Sequence, residues 1–119
     1  MTLGEKQELF FRLKSKLLVK ALEICDREGI TIRDGDSFRD TRVHGAYGEK
    51  RSYATAYSLH KLKLAKDLNF IKDGRLLAET KYFQELGEWW EQQHDLCRWG
   101  GRFASGDAGH FSLTHDGRA

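Results

Sequence analysis

Two short segments carry residue types that could do chemistry together: Ser58-Leu-His60-Lys-Leu-Lys-Leu-Ala65-Lys-Asp67 and Asp107-Ala-Gly-His110. Between them they offer two imidazoles and two carboxylates. A catalytic zinc site takes three nitrogen or oxygen ligands from protein and leaves a fourth position for water. Taken singly, His60 reads first as a hydrogen-bonded structural histidine and Asp107 as a turn residue. Five His and 18 acidic residues in one short chain will also produce some His and Asp matches by chance.

Spacing limits how the four could converge. His60 and Asp67 are an odd number of positions apart, so in one straight strand they would face opposite sides of a sheet. His60 must therefore sit on a bend leading into the strand, with Asp67 inside it and His110 reaching across from a neighbouring strand. Asp107 precedes His110 across a glycine-flanked turn that can bring its carboxylate near a metal-bound water.

The elements needed to place these residues are legible in part. Thr2 and Glu5 fit a capping box. Behind them Leu9, Phe10, Leu13, Leu17, Ala21, Ile24 and Cys25 recur at helical spacing until Gly29, a natural stop. Lys14, Lys16 and Lys20 lie on the remaining face, which reads as a solvated surface before it reads as a handle for anions. Ile30 to Arg33 alternates and is β-branched, so a short strand is expected, broken by Asp34-Gly-Asp-Ser37. Residues 40–57 show no clean period and read as a long irregular segment. Leu64 to Phe70 reads as a strand, with Leu64, Leu68 and Phe70 on one face and Ala65, Asp67 and Asn69 on the other. Asp73-Gly74 is a favoured hairpin pair, and Leu76-Leu77 begins the return. Thr80 can cap a second helix carrying Tyr82, Phe83, Leu86, Trp89 and Trp90, aromatics better read as core than as a substrate groove, and His94 is placed on its surface. A glycine-rich stretch follows Cys97, and Phe111 to Leu113 reads as a last strand. The order specifies an α+β fold with a small antiparallel sheet and flanking helices.

Bulk properties narrow the classes. A length of 119 residues suits one domain, here 1–119, and 39% hydrophobic content can build a core, which argues against disorder. A net charge of +2 and a pI near 8.6 are too mild for a nucleic-acid binder. No run approaches the roughly 20 apolar residues that span a bilayer. The first residues do not read as a signal peptide. Cys25 and Cys97 sit among apolar neighbours and read as buried free thiols, so any metal site must use His and carboxylates.

Ser58-x-His60-x-x-x-x-Ala65-x-Asp67 resembles the Ser-x-His-x-x-Gly-x-Ala-x-Asp motif of the D-alanyl-D-alanine carboxypeptidase-like zinc peptidases, whose fold is also that of hedgehog proteins. Asp107-x-x-His110 is similar to that family's later acid-x-x-His motif, and Ser37-Phe38-Arg39 to the aromatic-Arg step that closes its first core strand. The three segments occur in the family's order. Two departures stand out. Lys63 occupies the place of the family's Gly, and Gly109 the place of a Trp that often precedes the last His, a change expected to widen the pocket.

The resemblance implies one zinc ion per chain on His60, Asp67 and His110. It implies Asp107 as the base that takes a proton from water, Arg39 as a stabiliser of the oxyanion or a substrate carboxylate, and Ser58 as a residue that orients the His60 loop or touches substrate. Asp rather than Glu in the second motif, and no separate cell-wall-binding domain, look most like phage L-alanyl-D-glutamate endopeptidases acting as endolysins. The expected substrate is then a peptidoglycan stem peptide, with a monomer held in the host cytoplasm until the membrane is opened and reaching the periplasm and wall thereafter. The alternatives are a D,D-carboxypeptidase or dipeptidase on the same fold, and a non-catalytic relative that binds zinc or cell wall.

Overall fold

A computed structural model describes residues 1–35, 47 and 58–119. Within these residues the chain is α+β, with two α-helices and a small open antiparallel sheet. Ser37, Phe38, Arg39, His44 and all but Tyr47 of the segment 40–57 lie outside the described residues.

Helix α1 runs Leu3–Glu28. The capping box forms as the sequence suggests: Thr2 N–H donates to Glu5 Oε1 at 2.8 Å, and Glu5 N–H donates to Thr2 Oγ1 at 3.1 Å. Gly29 ends the helix in the left-handed region at φ 68°. Phe10, Leu13, Leu17, Ala21, Ile24 and Cys25 are buried along one stripe, which packs on the sheet and on the second helix.

The sheet comprises β1 (Thr31–Asp34), β2 (Ala65–Lys72), β3 (Arg75–Leu77), β4 (Cys97–Trp99) and β5 (His110–Leu113). Its order is β1-β2-β5-β4, with β3 also paired to β2. Strand β2 is central: β1 covers one of its edges, while β5 and β3 occupy successive stretches of the other. Alternation along β2 separates two faces. Leu68 and Phe70 turn toward the core, and Asp67 and Asn69 turn away from it. Lys66 shares the core parity, lays its stem there and pairs its ammonium with Asp34. Asp73 and Gly74, at φ 52° and 75°, make the tight turn from β2 to β3.

Three expectations change on contact with the structure. Thr80 does not cap the second helix. Thr80–Tyr82 is a single 3-10 turn of its own, with Glu79 at its N-cap position and no side-chain cap, and α2 spans only Gln84–Glu91. Packing overrides the cap signal here: Phe83, between the two, stacks on Phe70 with ring centroids 4.0 Å apart. His94 consequently lies beyond the helix, in a turn where its Nδ1 accepts from the Leu96 N–H at 3.1 Å. Strand β4 was not expected at all. It is three residues long and exists as a strand only through its pairing with β5.

Trp90 is fully buried, and its indole N–H is shared between the carbonyls of Arg98 and Ser112 at 3.0 and 3.2 Å. Trp99 is equally buried and donates to the Ala108 carbonyl at 2.7 Å. The two indoles thereby tie α2, β4 and β5 together.

Both cysteines are free and buried. Burial pushes the Cys25 thiol up to about 11, assisted by Asp26, and the Cys97 thiol up to about 12. Neither should therefore react with a thiol-exchange reagent in folded protein at mildly alkaline pH, while both should react in denaturant. Rapid labelling of the folded chain would contradict this packing.

Candidate metal centre

Each of the three central side chains is placed by a different local device. Ser58 caps the 3-10 turn Leu59–Leu62, its Oγ accepting the His60 N–H at 3.3 Å. The turn closes at Lys63, in the left-handed region at φ 58°, and is fastened to α1 by Gln7 Nε2 donating to the Leu62 carbonyl at 2.8 Å. His60 thus stands on the bend before β2, buried. Asp67 lies within β2, and His110 opens β5 in the register position directly opposite Asp67.

The Asp67 carboxylate spans both rings. Its Oδ2 lies 3.3 Å from His60 Nε2 and its Oδ1 lies 3.0 Å from His110 Nδ1. The imidazoles meet nearly edge to face, with centroids 5.3 Å apart. Burial alone would raise the pKa of Asp67. The hydrogen bonds and charge of His110 and His60 outweigh burial and hold this carboxyl well below the usual carboxylate range.

The donor atoms of His60, Asp67 and His110 all lie within 4.8 Å of one another. Donors at zinc distances from one tetrahedral ion stand roughly 3.4 Å apart, so a small contraction would seat a metal. Two imidazoles and one carboxylate also form a donor set that divalent metals accept. The group can therefore hold a metal ion.

Asp107 is at the mouth of this group rather than within it. Its side chain is 57% exposed, and its Oδ2 is 3.9 Å from His110 Nδ1, beyond direct hydrogen bonding. The turn holding it is well tied: Asp107 N–H donates to the Gly100 carbonyl at 3.0 Å, and His110 N–H to the Asp107 carbonyl at 3.1 Å. A groove beside the two carboxylates runs through the gap between β3 and β5 along β2, lined by Asn69, Leu76, Leu77, Phe83 and Gly109 among others. Arg39 lies outside the described residues, and His115 sits away from the group, its Nδ1 3.1 Å from Lys6 Nζ.

Two glycines position the centre, Gly109 of the motif and Gly100, which the sequence does not single out. A Cβ on Gly109 would meet the Leu68 carbonyl oxygen at 2.4 Å, and one on Gly100 would meet the Asp107 carbonyl oxygen at 2.0 Å. Gly109 therefore serves close approach of the strands, with Leu68 N–H donating to its carbonyl at 2.9 Å, and it also lines the groove.

Searches against protein-family profiles and against curated proteins return no match for this chain.

Purified protein should carry about one divalent metal ion per chain by elemental analysis, and His60→Ala and His110→Ala should each abolish binding. Gly109→Ala should lower stability by about 1–3 kcal/mol, measured by denaturant unfolding, and weaken metal binding on the order of tenfold. Full metal content in the histidine variants would dismiss the site.

Proposed function

We propose that the chain is a zinc-dependent peptidase of peptidoglycan stem peptides, hydrolysing the L-alanyl-D-glutamate bond as an endolysin. The observation that carries this reading is convergence. The three residues that the motif resemblance names as ligands meet in one buried group, with the proposed base beside it and a groove alongside. Lys63 adds support, because it takes the left-handed backbone that a Gly at that motif position would take freely. The α+β architecture and antiparallel sheet are compatible with the hedgehog and D,D-peptidase fold that the resemblance implies.

Zinc, when bound, supplies Lewis acidity, lowering the pKa of water toward roughly 7 and polarising a carbonyl. The remaining work falls to this chain. Asp107, exposed at the mouth, accepts a proton from the attacking water and returns it to the leaving amine. Asp67 stays ionised between the imidazoles and fixes their orientation. Ser58 sets the His60 backbone rather than reacting. The groove between β3 and β5 receives the extended peptide, with Leu76 and Leu77 against its apolar groups and Asn69 within reach of its amides. Arg39 is assigned to the developing oxyanion or a substrate carboxylate by the resemblance alone. No helix among the described residues is long and apolar enough to cross a membrane. Passage to the wall in this reading follows opening of the membrane from the cytoplasmic side.

Asp107→Asn should retain zinc and lose wall lysis by at least about 100-fold. A digest of purified peptidoglycan read by mass spectrometry should show new termini after L-alanine. Loss of terminal D-alanine instead would identify a carboxypeptidase, and wall binding without products would identify a non-catalytic relative.

A further inference from the structure

Helix α1 is apolar on two sides. Its inner stripe is buried against the sheet and α2. Among the described residues five large apolar side chains are exposed, and three of them, Phe11, Val19 and Leu22, belong to α1 at 66, 67 and 53% exposure. At 3.6 residues per turn these three fall together on the flank opposite the buried Leu17, over a length of roughly 17 Å. Half-buried Trp89 of α2 extends this surface, since it lines one shallow groove together with Val19. A single exposed leucine needs no explanation, whereas large apolar side chains grouped on one flank mark a contact surface.

The charges around this row are of one sign. Between Phe11 and Leu22 the chain carries Arg12, Lys14, Lys16 and Lys20 and no carboxylate; acidic residues resume only at Glu8 and Glu23. Lys14 stands on one side of the row, its Nζ 5.3 Å from the centroid of the Phe11 ring, and the other three cations stand on the opposite side. Lys20 lies 3.6 Å from Glu23, an i,i+3 surface pair of the kind that is weak and readily exchanged. Solvation accounts for the cations by themselves but not for the apolar row they flank. A complement must be anionic and apolar within one shallow depth. A second copy would set four cations against four, and a nucleic acid would match the cations while leaving Phe11, Val19 and Leu22 in water.

We propose that the outer flank of α1 docks on the surface of an anionic phospholipid bilayer, with Phe11, Val19 and Leu22 entering the headgroup–acyl boundary and Arg12, Lys14, Lys16 and Lys20 meeting lipid phosphates. Such a surface offers negative charge directly above hydrocarbon, which is the combination this flank complements. The long stems of the lysines let their ammonium groups reach the phosphates while the apolar row sits deeper. The placement is compatible with the metal centre, because α1 packs on the core face of the sheet whereas Asp67 turns away from it. A bilayer held by the outer flank of α1 therefore leaves the metal-binding group and its groove open.

The test measures partition of the full chain onto vesicles of phosphatidylcholine alone and of phosphatidylcholine mixed with phosphatidylglycerol, by co-sedimentation and by tryptophan emission. Trp90 and Trp99 are fully buried, so a blue shift on binding reports Trp89. The mixed vesicles should take up the chain more strongly by about tenfold or more. The double variant Lys16→Gln, Lys20→Gln should lower that uptake roughly 10- to 50-fold, and the double variant Phe11→Ser, Leu22→Ser by about tenfold. Lys81→Gln, an exposed cation elsewhere, should match the unaltered chain. The substituted side chains lie outside the core, and thermal melts confirm folding. Equal uptake by both vesicle types, or uptake unchanged by the lysine substitutions, would overturn the proposal. Without vesicle uptake, a dimer dissolved by Val19→Asp would assign the flank to a second copy, and salt-sensitive binding of polyglutamate or duplex RNA would assign it to a soluble polyanion; either overturns it too. Metal content and wall lysis are separate readouts, so failure here leaves the metal-centre reading standing.

Discussion

The centre depends on one alignment, the antiparallel register that sets Asp67 of β2 opposite His110 of β5. A slip of one residue would send the His110 side chain to the core face and bring Phe111 opposite Asp67. The register is held at both ends. Leu68 N–H reaches the Gly109 carbonyl at 2.9 Å on one side of the pair, and Leu113 N–H reaches the Leu64 carbonyl at 3.0 Å on the other. Beneath it, Phe111 and Leu113 are fully buried and Trp90 meets Phe111 edge to face, so the core itself penalises the slipped pairing. A polar group on one face is thus specified by apolar packing on the other.

That division also explains how an ionised carboxylate survives half-buried between two rings. An isolated carboxylate there would be strongly disfavoured, since desolvation costs more than any single weak contact returns. Asp67 is instead met by a ring nitrogen on each oxygen, at 3.0 and 3.3 Å, and its pKa falls below the usual range. The sign of the linkage follows. A carboxyl lowered in the folded state contributes stability above its unfolded pKa and loses it only as pH falls through the depressed value. Exposure separates Asp67 from Asp107, whose side chain is 57% exposed at the mouth of the group.

Much of this was legible in residue order. Helix α1, its box and its glycine stop follow from local pattern, and so do the faces of β2 and the Asp-Gly hairpin. The bend at His60 was legible too, because an odd spacing cannot put two side chains on one face of a straight strand. What was not legible depends on distant partners. Strand β4 has no pattern of its own and is defined by β5. Helix α2 starts late because Phe83 is drawn onto Phe70. The crowding at Gly100 and Gly109 is set by backbones that only the fold brings near. The contact of His110 with Ala119 likewise exists only once the final turn is closed.

Lys63 shows how packing and hydrogen bonds can hold a residue in a backbone conformation that glycine adopts more readily. An L-residue in the left-handed region costs on the order of 1 kcal/mol relative to glycine, which argues against Lys at φ 58° if residue type alone decided the backbone. The surrounding hydrogen bonds decide it instead. Lys63 N–H donates back to the His60 carbonyl at 3.3 Å, and Leu64 N–H to the Leu59 carbonyl at 3.0 Å, so the turn is closed from both sides of the strained position. Leu59 and Leu64, both buried, hold the ends of that closure in the core. The conformation that aims His60 at Asp67 is therefore a property of the turn and its anchors, and a glycine here would lower the strain of the bend without being required to form it.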